Sequence, residues 1–370
     1  MNKLSDLIFP FDLVRLSREK LVEIASQFGI ETNASIVNLA DNIWNVVRNN
    51  SDKREQMLHI IKEVIFLGRT CVTWYTLSEE QKNLNIESAF KEKLGKKIFE
   101  EVNVFDISND RITTDIIGGF KVSEKKYVVR LIVKMGINKV PVGAEILTQA
   151  SSIIATVIID MEKGYIEIRC DSKATNKVIS KIGHIFDTKA SKGIERYSIQ
   201  YYAQNIEKFA ELLNGNLIEI NAMPDKLFKE LSEEQIKAII KALASLDNFF
   251  NDGDANKFLA EIQSCKAVFD EDDEFDGTPF SAIVLAGMDK LGLSVDKESD
   301  SDLKNHPLFA SWNPYLQHQN GFVRFNVNED GVKRQHTVRI GLTTDSISFR
   351  TYATETALNY LREKLLFKEL

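Results

Sequence analysis

Two stretches of this chain lie on one another without a gap at a constant offset of 181 residues. Thr156-Val157-Ile158-Ile159 through Ile166-Glu167-Ile168-Arg169 matches Thr337-Val338-Arg339-Ile340 through Ile347-Ser348-Phe349-Arg350. Each alternates apolar and polar residues with period two around a short break, the pattern of a half-buried β-hairpin. After each arginine a short loop leads to Ala174-Thr175 or Ala353-Thr354. These open helices with apolar positions at Val178, Ile179, Ile182 and Phe186, and at Ala357, Leu358, Leu361 and Leu365. A further strand precedes each hairpin, Val128–Val133 in one case and Phe322–Val327 in the other. The expectation is two diverged β-β-β-α repeats, antiparallel sheets with helices on one side, in an α+β protein.

The chain has 370 residues, and at roughly 150 residues per domain that suggests more than one core. The reading divides it into residues 1–76, 77–222 and 223–370. The first part reads as helical throughout. Ser17 caps a helix that carries Leu21, Ile24, Ala25 and Phe28, and Gly29 stops it. A second helix carries Ile36, Leu39, Ile43, Trp44 and Val47, and further helices are expected from Lys53 to Phe66 and from Thr70 to Trp74. The pair around Gly29 resembles the small SAP or Rho-N type of DNA-binding helical module over about thirty residues. It departs from that pattern at Asn33, Ala34, Ile36 and Val37, so a plain helical hairpin is the preferred reading. Leu-Ser-Glu-Glu-Gln occurs at 77–81 and again at 231–235, each a capping box that starts a helix. Between the repeats the pattern predicts a helix over 204–214, a strand over 217–220, helices near 225–250 and 254–265, and a solvated acidic loop from Phe269 to Gly277. Gly118-Gly119 is expected in a turn.

The net charge of −7 is unevenly spread, −1 over residues 1–85, +2 over 86–222 and −8 over 223–370. A chain this acidic can serve nucleic acid only through a local patch. Cys71, Cys170 and Cys265 are too few and too scattered for a disulfide framework, and the five histidines form no zinc pattern. Free thiols, no leader-like N-terminus and no apolar run of membrane length lead to the expectation of a cytoplasmic protein with no membrane span and no cofactor or metal.

No phosphate-binding glycine motif is present. Asp272, Glu274, Asp276 and Gly277 imitate the start of a calcium loop, but Ile283 stands where its closing acid is needed. Asp160 with Glu167 and Arg169 on a hairpin is similar to the metal-binding carboxylates of PD-(D/E)xK nucleases, although the third residue there is Lys and the second copy has Ser348 in place of the acid. His184 is expected half-buried between Ile182 and Phe186.

The basic residues carry the leading expectation. Lys173, Lys177 and Lys181 are spaced by four and share a helix face. Lys121, Lys125, Lys126, Arg130, Lys134 and Lys139 add cations nearby, and Arg169 joins them, giving a strip suited to phosphates and not to base edges. In the second repeat Arg324, Arg339 and Arg350 fall opposite the apolar face, either salt-bridged or held for an anionic partner. The reading is a non-catalytic binding or adaptor protein that engages nucleic-acid backbone or another anionic macromolecule. The alternatives are a protein–protein assembly or self-associating subunit, and an enzyme such as a metal-dependent nuclease.

Overall fold

Cys71-Val-Thr-Trp-Tyr-Thr-Leu77 is a run of β-branched and aromatic side chains, which pack best on a pleated surface. In the computed structural model it is strand β1 (Cys71–Leu77), not the helix expected over Thr70–Trp74. The described residues are 2–103, 113–186, 193–201, 205–224, 232–270, 291–295 and 301–366. They fall into two compact units: residues 1–204, 212–214 and 324–370, and residues 205–211 with 215–323.

In the first unit, helices α1 (Pro10–Leu13), α2 (Arg18–Gln27), α3 (Ile36–Val47) and α4 (Ser51–Ile61) precede β1. Ser17, Ser35 and Asn50 cap α2, α3 and α4 by accepting backbone N–H bonds. Their apolar faces meet around Leu21, Ile24, Leu39, Ile43 and Ile61, and this core extends to Val128 and Ile158 of the sheet. Short helices α5 (Glu79–Lys82) and α6 (Ile86–Leu94) follow.

The first of the two aligned segments then folds as β3 (Lys126–Val142), β4 (Glu145–Asp160), β5 (Tyr165–Arg169) and helix α7 (Thr175–Ile185), preceded by β2 (Asp115–Ser123). Gly118 and Gly119 lie inside β2 and not in a turn. A β-carbon on Gly119 would stand 2.5 Å from the Phe99 ring, so close packing requires the glycine there. The second aligned segment folds as β9 (Leu316–Glu329), β10 (Val332–Gly341), β11 (Ser346–Phe349) and a helix over Glu355–Leu365.

Strands of both aligned segments enter one antiparallel sheet in the order β2-β3-β4-β5-β1-β11-β10-β9, with β6 (Ile194–Arg196) also on β1. The hairpin registers agree at the sequence offset: Val157 faces Ile168 as Val338 faces Phe349, and Ile159 faces Ile166 as Ile340 faces Ile347. Gly164 (φ 71°) and Asp345 (φ 39°), again at that offset, supply the left-handed residue of each turn.

The second unit holds α8 (Ile206–Leu212, its last residue counted with the first unit), β7 (Asn216–Pro224), α9 (Glu233–Asp252), α10 (Ala255–Asp270), β8 (Leu291–Ser294) and α11 (Pro307–Trp312). Its capping box at Ser232 is complete: Ser232 N–H donates to Gln235 Oε1 (2.8 Å) and Gln235 N–H to Ser232 Oγ (3.2 Å). At Ser78 the hydroxyl accepts from Gln81 N–H. The last helix of the chain, α12 (Glu355–Leu365), returns to the first unit.

Helices α7 and α12 cover opposite faces of the sheet. Val178 and Ile182 of α7 pack with Ile166 and Ile168 of β5. Arg362 of α12 bonds Glu167, which alternation places on the other face of β5. No helix among the described residues is long and apolar enough to cross a membrane.

Candidate anion-binding cleft

Where β5 and β11 end and β1 begins, four side chains stand in a row across the sheet. Arg339 of β10 pairs with Ser348 of β11, and Ser348 pairs with Cys71 of β1. Cys170, just past β5, donates its N–H to the Cys71 carbonyl (3.1 Å). Directly opposed residues share a face, so Arg339, Ser348 and Cys71 point the same way. Arg350, two residues beyond Ser348, falls on that face as well.

This row floors an open cleft of about 820 Å³. Arg15, Arg69, Lys173, Arg339 and Arg350 line it, and Asp171 is the single carboxylate among its lining residues. Arg15 is held by donating to the Leu67 carbonyl (3.1 Å) and by lying over the Phe11 ring (5.1 Å). Arg69 lies over Tyr352 (5.2 Å). Gly68 between them has φ +61°, and a β-carbon there would come within 2.8 Å of the Arg15 carbonyl oxygen. Only glycine lets the two arginine-bearing segments approach so closely. On the opposite wall, Asp171 accepts the Lys173 backbone N–H (2.9 Å) and so fixes the loop that presents Lys173.

The thiols add no charge. Burial pushes Cys170 up to about 12, and burial also raises Cys71 despite hydrogen bonds with Ser348 and Ser346. Burial pulls Arg15 down while nearby Asp12 acts against it. The cleft is therefore a positive basin in an acidic chain, able to hold phosphate or carboxylate groups through planar guanidinium forks.

The cleft gathers Lys173, Arg339 and Arg350 from the expected residues and leaves the others elsewhere. Arg130 is a correction: it is buried, its Nη2 donates to both carboxylate oxygens of Asp12 (2.7 and 2.9 Å) and its Nη1 to Thr156 Oγ1 (3.0 Å). Arg169 is another, buried between Glu167 (2.7 Å) and Glu355 (2.5 Å). Arg324 is buried too, and it is not among the cleft's lining residues. Lys121 bridges Glu87 and Glu124 (3.0 Å each), and those hydrogen bonds hold its ammonium above its ordinary range. Lys181 pairs with Asp115 (3.2 Å), Lys126 lies 3.9 Å from Asp160, and Lys177 donates to the Lys134 carbonyl (2.7 Å). Lys125 and Lys139 are exposed. The linear strip is thus interrupted by its own acids.

Arg15 and Arg69 escape a reading of the sequence. They lie in the turn after α1 and the bend before β1, with no spacing that ties them to Arg339, and only the fold brings them together.

The Asp160, Glu167, Arg169 constellation is an internal ion network. Asp160 accepts the Lys163 N–H across the hairpin turn (2.9 Å). Glu167 takes Arg362 (2.7 and 2.8 Å), Arg169 (2.7 Å) and the Trp74 indole N–H (2.8 Å). His184 is exposed, not half-buried, because the α7 face that packs runs through Val178, Ile182 and Ile185. Among the described residues no group of three or more His, Cys, Asp or Glu is placed to hold a metal, and Asp272, Glu274 and Asp276 lie outside them. No protein-family model matches the sequence, and no curated protein matches it.

Proposed function

We propose that this protein is a non-catalytic binding protein that grips the phosphate backbone of nucleic acid in the cleft at the end of its sheet. The observation that carries the reading is five cations against one carboxylate around a single cleft, in a chain whose net charge is −7. Charge concentrated in this way on an acidic background localises a polyanion to one place. Contacts of this kind position a backbone without reading bases.

The shared register and turn residues support a second element of the proposal, that β3–α7 and β9–α12 are copies of one unit. In the sheet order β5 and β11 flank β1, both antiparallel to it, as expected if one copy follows the other around a shared strand. Free thiols at Cys71, Cys170 and Cys265 fit a reducing, cytoplasmic compartment.

The test is binding of fluorescent single- and double-stranded DNA and RNA at two salt concentrations. Arg339→Glu with Arg350→Glu, both exposed positions, should lower affinity roughly tenfold or more. The slope of log affinity against log salt on duplex DNA should fall by about one for each phosphate that is no longer neutralised. Unchanged affinity in the folded double variant overturns the proposal.

An assembly role is favoured by one observation, the exposed apolar stripe of Ile236, Ile240, Leu243 and Phe250 on α9. An apolar assembly surface would associate with little dependence on salt.

A further inference from the structure

Strands β3 and β4 run far beyond the sheet that contains them. β2 pairs with β3 only over residues 126–132, and β5 pairs with β4 only over 156–160. From Gly136↔Ser151 to Val142↔Glu145 the two strands pair, among the described residues, with each other alone, and Gly143 (φ +61°) turns the tip. At about 3.3 Å per residue, seven pairs make an arm roughly 20 Å long. A register shift between Lys134 and Gly136 marks its base.

The arm is apolar where it should be polar. Ile137 is 56% exposed, Val140 46%, Val142 53% and Ile146 67%. A lone ribbon with such side chains in water invites non-specific pairing unless it has an occupant. Two observations select that occupant. Ile153 and Ile154, at the foot of the arm on β4, line the cationic cleft. Along 134–152 the charged residues are Lys134, Lys139 and the single acid Glu145.

We infer that the arm lies in the major groove of double-stranded DNA whose backbone is held in the cleft. This rests on the phosphate-binding reading and names its partner as a duplex. The major groove is about 12 Å wide and admits a two-stranded ribbon, and it displays thymine methyl groups that isoleucine and valine can cover. Phosphate contacts alone do not distinguish one strand from two; an apolar ribbon that needs a groove does.

The experiment compares the full-length protein with a variant in which Ile137, Val140, Val142 and Ile146 are all changed to Ser. These positions are exposed, and circular dichroism checks that the fold is kept. Duplex affinity should fall roughly tenfold or more with the salt slope unchanged, because every phosphate-facing cation is retained, while single-strand affinity should stay the same. Prior methylation of guanine N7, which faces the major groove, should also weaken wild-type binding. Equal duplex affinity in the variant, or insensitivity to N7 methylation, overturns the arm's assignment while leaving the cleft in place. A wild-type protein that binds no nucleic acid overturns both. An oligomer of the wild type that the variant dissolves would give the arm to a second copy of the chain and overturn the inference.

Discussion

Glu167 is fully buried with two guanidinium groups and an indole N–H on its two oxygens. Burial alone would raise its carboxyl, but the charges of Arg362 and Arg169, with the hydrogen bonds from Arg362 and Trp74, outweigh that and hold it far below the usual carboxylate range. Removing one partner from a buried ion network strands the others, at a cost of about 3–5 kcal/mol. Glu167→Ala should therefore lose about that much stability, and Glu167→Gln less, since an amide keeps some of the hydrogen bonds. Urea unfolding followed by tryptophan fluorescence measures both, with Trp74 as a reporter in contact with the site. The network also explains why this residue misleads a reader of the sequence. Alternation places Glu167 and Arg169 on one strand face, where they resemble a metal site or a solvated polar edge. That α12 arrives about 190 residues later to bury them is a fact of tertiary packing, which strand periodicity does not encode.

At the scale of elements, the glycine pair of β2 offers a graded test. A β-carbon on Gly119 would meet three atoms of the Phe99 ring between 2.5 and 3.2 Å, whereas one on Gly118 would meet the end of the flexible Leu7 side chain at 3.0 Å. Phe99 is itself wedged against Phe90 and Tyr127 (centroids 5.6 and 5.5 Å), so it has little room to yield. Gly119→Ala should cost about 1–3 kcal/mol by overpacking and Gly118→Ala clearly less, read as a difference in thermal unfolding midpoints. The same strand shows where sequence reading succeeds and fails. The strands and helix of the first aligned segment are legible because a 2.0 or 3.6 period survives in Val157–Ile159, Ile166–Ile168 and Val178–Ile182. β2 is hidden because its glycines are there for packing and look like turn residues. β1 is hidden because it follows four helices, although its β-branched and aromatic content points to a strand. The arm of β3 and β4 is hidden because its apolar residues face solvent, so no buried side marks the alternation. Of the cleft, Lys173, Arg339 and Arg350 are legible as cations at strand and loop ends, while Arg15 and Arg69 are supplied by chain folding.

At the scale of the molecule, the first unit is built from both ends of the chain and the second from residues between them, and each holds a buried ionisable group of its own, Glu167 in the first and His318 in the second. Their pH responses should separate them. In the second unit His318 is buried, its Nδ1 accepts the Ile206 N–H (3.2 Å), its Nε2 has no hydrogen-bond partner among the described residues, and burial lowers its pKa to about 4. A histidine depressed below its unfolded value of about 6.5 favours the neutral folded form, so its contribution is fully present above about pH 6.5 and drains away as the pH falls toward 4. Glu167 of the first unit is also depressed, but its contribution begins to fade only below an unfolded carboxylate value of about 4.3. Near pH 5 the His318 site should thus have cost the second unit roughly 2 kcal/mol, at 1.36 kcal/mol per pH unit, while the Glu167 network remains intact. Hydrogen exchange at pH 5 and pH 7, each corrected for intrinsic rates, should show α8 and β7 losing protection while β1 and β5 keep theirs. His318→Asn, which retains an acceptor for Ile206 and does not titrate, should remove the difference between the two pH values. Loss of protection at β1 before β7 would show that another group controls acid unfolding.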